Sequence, residues 1–297
     1  MIYFSATPQS NYASNHQLSL LSLIGLRQIR SPKVNIQLNF GLQTAPSQPS
    51  SLLTFTIRDM DTLAAPGTAD FSITNLTRWR VNTSQFTNFD EFLDQALSRR
   101  LKKKYLETQA VFYGYGAHIT YIEGDWSEQV DAVYALYTNV AKKHGTQLYD
   151  HDFFKMIAPK DAYKLLCFWH NNRLFAALVI VEEPTAIHSL ACCLDYHHSR
   201  PTRAYSQLHY ELIRLAIESK RYRTVDIGIT ADKAKSMMGF RPIPTCMDVS
   251  SHNPVIKKLL QALSYCYGAT INDNAKLEFN FQMFRKSALL ANKKPIN

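Results

Sequence analysis

A mixed α/β fold, an α+β arrangement of helices on a mixed sheet, is what this sequence predicts. Two observations carry that expectation. Past residue 160, three strand-like runs follow one another on tight connections: "AYKLLCFWH", "RLFAALVIVEE" and "AIHSLACCLDY". A long apolar-periodic segment, "TRAYSQLHYELIRLAIESK", then leads into the β-branched run "TVDIGI". With 297 residues, 46% hydrophobic and 19% charged, the chain is long and apolar enough for a sizeable core and is not disordered in composition.

Taken in order, "HQLSLLSLIGLRQI" has the spacing of an amphipathic helix, and "KVNIQLNFG" alternates with period two as a strand does. "TAPSQPSS" is a loop, "LLTFTIRDM" a strand, and "ADFSITN" with "TRWRVN" a hairpin pair. "TNFDEFLDQALSRRLKKKYLE" has a start signal at Thr87 or Asn88, acids early and cations late, and so predicts one helix. From Ala110, "AVFYGYGAHITYIEG" is strand-like, and "DWSEQVDAVYALYTNVAKKHG" is a helix closed by Lys142, Lys143 and Gly145. "DHDFFKMIAP" is a short helix, and "HNNR" between the first two meander strands is hairpin chemistry. After "TVDIGI" come a short segment with Lys233 and Lys235, the strand "PIPTCMDVS", the helix "NPVIKKLLQALSYCYG" and a last strand or helix in the tail. Two domains are expected, 1–109 and 110–297, without a fixed-period repeat.

No apolar run approaches the ~18 residues of a membrane span, and the first residues lack the features of a secretory signal, so a cytoplasmic location is expected. The cysteines, Cys167, Cys192, Cys193, Cys246 and Cys266, are odd in number and form no C-x-x-C pair. They point to neither a disulfide framework nor a metal site. Three of them fall in apolar strand-like runs, where a thiol acts as a small hydrophobe. The formal charge of +9 favours an acidic partner: a phosphorylated cofactor, an acidic carrier protein, a nucleic acid or an anionic membrane face. The densest basic run, "RRLKKKY" from Arg99 to Tyr105, is expected to be the solvated end of a helix. Walker, Rossmann, nucleophile-elbow and zinc-protease motifs are absent from the sequence.

The order of elements from Asp150 resembles that of the GCN5-related N-acetyltransferase (GNAT) superfamily, and more narrowly its FemAB-like, N-acyltransferase branch. "LYTNVAKKHG", "LLCFWHNNRLFAALVIV", "SQLHYELIRLAIESKRYRTVDIG" and "KAKSMMGFRPIP" carry the likeness, which covers about Ala110 to Leu260. The resemblance implies two GNAT-like halves in tandem, the first degenerate. It also implies an acyl or aminoacyl transfer from an acyl-CoA or acyl-carrier-protein thioester, or from an aminoacyl-tRNA, to an amine-bearing small molecule or peptide. On this likeness the "TVDIG" strand splays from the preceding meander strand, and the acyl donor lies in the opening. Lys233 and Lys235 stand just past that strand's carboxyl end, where crevice binding is expected in open α/β layouts. Relatives that bind coenzyme A use a glycine-containing loop after the third meander strand. Here the loop is "YHHSRPTRAYSQ", with Arg203 and Ala204 where small residues are expected. Arg200 and Arg203 are then expected to hold phosphate by their forked side chains, beside Thr202 and Ser206. The alternative is a catalytically inactive GNAT-fold module that holds an acidic partner, a carrier protein or RNA.

Acyl transfer needs an unprotonated amine, a donor for the developing oxyanion and an acid for the leaving group. The candidates are Asp195, Tyr196 and His197, at the end of the third meander strand, together with Asp226 in "TVDIG". Asp195 or His197 is expected to accept the amine proton. Asp226 is expected either to orient the amine or to pair with a neighbouring helix, since a carboxylate in a β-branched run needs a partner. His209 shares a helical face with Tyr205 and Leu212 and is expected to be packed or to face the cleft.

Overall fold

The computed structural model describes residues 13–19, 33–39, 53–59, 71–144, 149–229, 232–251, 253–259 and 261–262. The chain forms two compact units, Arg78–Ile243 and the residues flanking it on both sides. The domain boundary expected at Ala110 falls inside a helix, Arg99–Gly114.

In the flanking unit, strands β1 (Ala13–Ser19) and β2 (Lys33–Asn39) are antiparallel, β2 and β3 (Leu53–Asp59) are parallel, and β3 is antiparallel to β10 (Arg241–Ser250) from Thr245 onward. The helix expected over "HQLSLLSLIGLRQI" begins inside β1, and its later residues lie outside the described residues. Seven consecutive ladder pairs with β2 override the helical spacing there. The tail expected as a last strand or helix also lies outside the described residues.

The Arg78–Ile243 unit is built on a mixed sheet whose strands run β4-β9-β8-β7-β6-β5. The expected hairpin is instead one strand, β4 (Phe71–Asn82), because no turn-forming pair interrupts it. The single helix expected next is two, α1 (Phe89–Ala96) and α2 (Arg99–Gly114). Asn88 caps the first, and the extended Leu97 lets Ser98 cap the second. Helix α2 then runs through Ala110–Gly114, where a strand was expected, because Tyr105, Thr108 and Phe112 are buried at helical spacing. The strand proper is β5 (His118–Ile122). The basic run therefore sits at the start of a helix and not at its end.

Helices α3 (Val130–His144) and α4 (His151–Ile157) follow as expected, the latter capped by Asp150. Strands β6 (Tyr163–His170), β7 (Arg173–Glu182) and β8 (Ala186–Leu194) form the antiparallel meander with β5. Asn171 and Asn172 both take positive φ, 50° and 60°, as a two-residue hairpin turn demands. Leu166, Phe168, Leu178 and Ile180 join one buried cluster with α1, α2 and α6 (Ala204–Ser219). Leu165, Cys167 and Val179 are equally buried but point to the other face. Helix α3 packs across β7 and β8, with Val133, Leu136 and Tyr137 buried outside that cluster. Burial on both faces is why these strands are continuously apolar instead of alternating. After β8 come the single turn α5 (Tyr196–Ser199), α6, β9 (Thr224–Ile229) and the short α7 (Asp232–Ser236). Among the described residues no helix is long and apolar enough to cross a membrane.

Candidate functional site

Two neighbouring parallel strands part company here. Strands β8 and β9 pair only at Ala186–Thr224, Ile187–Val225 and His188–Asp226, although β8 continues to Leu194 and β9 to Ile229. A bulge at Leu190, where Val179 pairs with Ala191 and Ile180 with Ser189, bends β8 just past the last shared pair. On β9 the backbone groups past that pair are taken by side chains. Asp226 accepts the Gly228 N–H at 2.7 Å. Lys235 donates to the carbonyl oxygens of Ile227 and Gly228, at 2.7 and 2.9 Å. Consecutive carbonyls of a regular strand point to opposite edges. Gly228, at φ 68°, turns both toward one ammonium.

Asp226 is held in turn by β4. Its second oxygen accepts from Arg78 Nη2 at 2.8 Å and Arg80 Nε at 2.6 Å. Burial pushes its carboxyl upward, but Arg78, His188 and Arg80 outweigh that and hold it below its ordinary value. The Lys235 ammonium is buried too. Desolvation lowers its pKa to about 8 against the pull of Asp226 and Asp232.

At the open end lies a cavity of about 430 Å³. Leu194 closes β8 on one side of it, and Ala234, Met237 and Met238 follow β9 on another. One stripe of α2 completes the wall: Leu101, Lys104, Tyr105 and Thr108, spaced three and four apart. Its cations among the described residues are Lys104, Lys143, Arg200 and Arg203, and none of the described residues that line it carries a carboxylate or imidazole. Tyr196 stands between two of them, with Lys143 Nζ 4.0 Å and the Arg200 guanidinium 5.4 Å from its ring centre. Burial pushes the Tyr105 and Tyr196 phenols up to about 12, and raises those of Tyr205 and Tyr210 as well. All four are therefore protonated donors at neutral pH.

Helix α6 begins at this cavity. Arg203, its N-cap, adopts the left-handed conformation (φ 52°) that a glycine would take, and no side chain caps the helix. The Arg203 guanidinium reaches back to Thr108 Oγ1 at 3.0 Å. The loop keeps a glycine-like backbone without the glycine, and Tyr205 and Ser206 of the first turn of α6 line the electropositive cavity.

The structure brings Tyr196, Arg200, Arg203 and Ser206 into the cavity wall and leaves the other sequence candidates out of it. Asp195 caps α5 through the His197 N–H and binds Arg173 at 3.0 Å. His197 is exposed. Its neighbour His198 is the one in a network, with Nδ1 2.6 Å from Tyr115 Oη. Thr202 is fully buried and donates to the His198 carbonyl. Lys233 is exposed on α7, whereas Lys235 is buried under β9 and is spent on its carbonyls instead of a ligand. Asp226 pairs with a strand and not a helix, and both its oxygens are occupied. His209 is packed against Tyr205 with Nδ1 2.7 Å from that residue's carbonyl oxygen, and burial lowers its pKa to about 4. Sequence reasoning missed Lys104, Lys143, Tyr105 and Tyr210. The α2 stripe was readable once the basic run is placed in the first turns of a helix, but Lys143 needed the packing of α3.

No family model matches the sequence, and no curated protein does either. Among solved structures, the chain is similar to FemX, at 10% identity with a TM-score of 0.52, covering 85% of this chain and 91% of that one. L-PGS from Bacillus licheniformis aligns at 9% identity and a TM-score of 0.48, covering 88% of each chain. A GCN5-related N-acetyltransferase from Kribbella flavida aligns at 10% and 0.44, over 86% of this chain and 91% of that one. The FemX likeness concerns the fold alone: the chain has the mixed α/β architecture that its element order implies, laid out as in FemX.

Proposed function

We propose that the protein transfers an acyl or aminoacyl group from an activated ester to an amine, at the cavity where β8 and β9 separate. The observation that carries this reading is the unzipped strand pair, opening onto a space that the described residues wall with cations and phenols. A thioester of coenzyme A or of a carrier protein, or an aminoacyl-tRNA, brings phosphate in each case. Arg200, Arg203, Lys104 and Lys143, with the start of α6, are the groups suited to it. In the reaction the amine nitrogen attacks the acyl carbon, a C–N bond forms, and the C–S or C–O bond to the donor breaks. The leaving group takes a proton from a phenol, for which Tyr196, Tyr205 and Tyr210 are the residues at hand. The attacking amine gives up its proton to water, which returns one to the phenolate, since none of the described lining residues carries a carboxylate or imidazole.

That missing base favours one rival, a GNAT-fold module that binds an acidic partner without turnover. Free-thiol release from acyl-coenzyme A and acyl-carrier protein, and deacylation of aminoacyl-tRNA, each with an amine present, separate the two. Amine-dependent turnover of any donor class supports the transferase. Tight binding of every donor without turnover favours the binding module, and failure to bind any of them overturns both.

A further inference from the structure

The unused backbone of β9 raises a question that the cavity does not answer. A parallel ladder that has formed three pairs extends at little further cost, because each new pair removes exposed N–H and C=O groups. Between β8 and β9 it stops with residues to spare. Of the consecutive carbonyls of Ile227 and Gly228, a regular strand would turn one toward β8 and the other toward β4; Lys235 holds both, and Asp226 holds the Gly228 N–H. Both side chains are buried, at 1% and 3% exposure, so water does not compete for these bonds.

We propose that Lys235 is the strut that keeps β8 and β9 apart: its ammonium gathers two consecutive β9 carbonyls, one of which would otherwise pair with β8, and so holds the cavity mouth open. Lys235 is thus a positioning residue for the acyl donor, which it does not touch, and its catalytic consequence rests on the transferase reading. Asp226 completes the device by turning the Gly228 N–H inward while anchored to Arg78 and Arg80 on β4. Lys235 sits three residues past Asp232, whose carboxylate accepts from the Trp79 indole at 2.7 Å, so the strut is footed on β4 as well.

Amide hydrogen exchange of the full chain tests the strut without reference to any donor. Lys235→Met keeps the buried stem but donates to nothing. Exchange at Ala191–Leu194 should slow at least about tenfold as the freed carbonyl accepts from β8, the scale set by one charged hydrogen bond. In Lys235→Ala, millimolar propylammonium, a free cation of the deleted shape, should restore the fast exchange of the natural chain. Unchanged or faster exchange in Lys235→Met overturns the proposal, as does slowing that propylammonium does not reverse in Lys235→Ala. With a donor that turns over, Lys235→Met should raise KM about tenfold at near-constant kcat, and a fall in kcat alone would count against positioning. If no donor turns over in the natural chain, the transferase reading fails while the exchange result still decides the strut.

Discussion

Replacing Asp226 by Asn changes one atom and removes the charge on which the β4–β9 junction rests. In the native protein Oδ1 accepts the Gly228 N–H, and Oδ2 accepts from both Arg78 and Arg80. Asparagine keeps the first bond but turns an NH2 group toward two guanidiniums. Each lost charge-assisted bond is worth about 1.5–3 kcal/mol. Arg80 retains some access to water, at 19% side-chain exposure, and recovers part of its loss, whereas Arg78, at 6%, is shielded from water. Breaking a buried pair on one side costs about 3–5 kcal/mol, and the total should fall in that range. Urea unfolding at neutral pH measures it. Adding Arg78→Met to Asp226→Asn should return part of the loss, because a buried guanidinium that has lost its carboxylate goes with it. The sign with pH follows from the lowered carboxyl. The contribution is complete above the ordinary aspartate range and is lost as pH falls through the depressed folded value. A loss below about 1 kcal/mol, the size of a surface pair, would refute the idea that Asp226 anchors this junction.

Other consequences are equally direct. His209 binds a proton at about 4 when folded and near 6.5 when unfolded, so the unfolded chain holds more protons between those values. Stability should therefore rise by about 3 kcal/mol from pH 4 to 7, and His209→Asn, which keeps a donor for the Tyr205 carbonyl, should flatten that limb of a urea–pH series. Gly239 has φ 85°, and a Cβ there would lie 3.0 Å from the Phe92 ring and 3.1 Å from Leu97. Gly239→Ala should cost about 1–3 kcal/mol in the same assay. Arg200→Ala with Arg203→Ala should lower affinity for a phosphate-bearing donor at least about tenfold, and flatten its dependence on salt, as read by calorimetry at two salt concentrations.

Much of the meander was legible because local chemistry and final environment agreed. "HNNR" asked for a two-residue turn and made one, and the unbroken apolar runs of β6 and β7 signalled burial on both faces. The failures came where a pattern had more than one meaning. "RRLKKKY" looked like a helix end because cations suit that end, yet a Ser98 cap starts a new helix there. "AVFYGYG" reads as a strand by composition, and burial of Phe112 one helical turn from Thr108 and two from Tyr105 decides otherwise.

For the site, sequence by itself determined that β9 follows a long helix and carries an acid at Asp226, and that Arg200 and Arg203 stand before that helix. Spacing along the chain fixes such features, and spacing is local. Only the tertiary structure decided what those charges do. Asp226 and Lys235 turn from substrate groups into backbone ligands because β4 and α7 close over them. Tyr196, rather than Asp195 or His197, faces the cavity because Asp195 caps α5 and binds Arg173 of β7. A side chain's partner is set by which distant elements exclude water from it, and that information does not lie in any one stretch of the sequence.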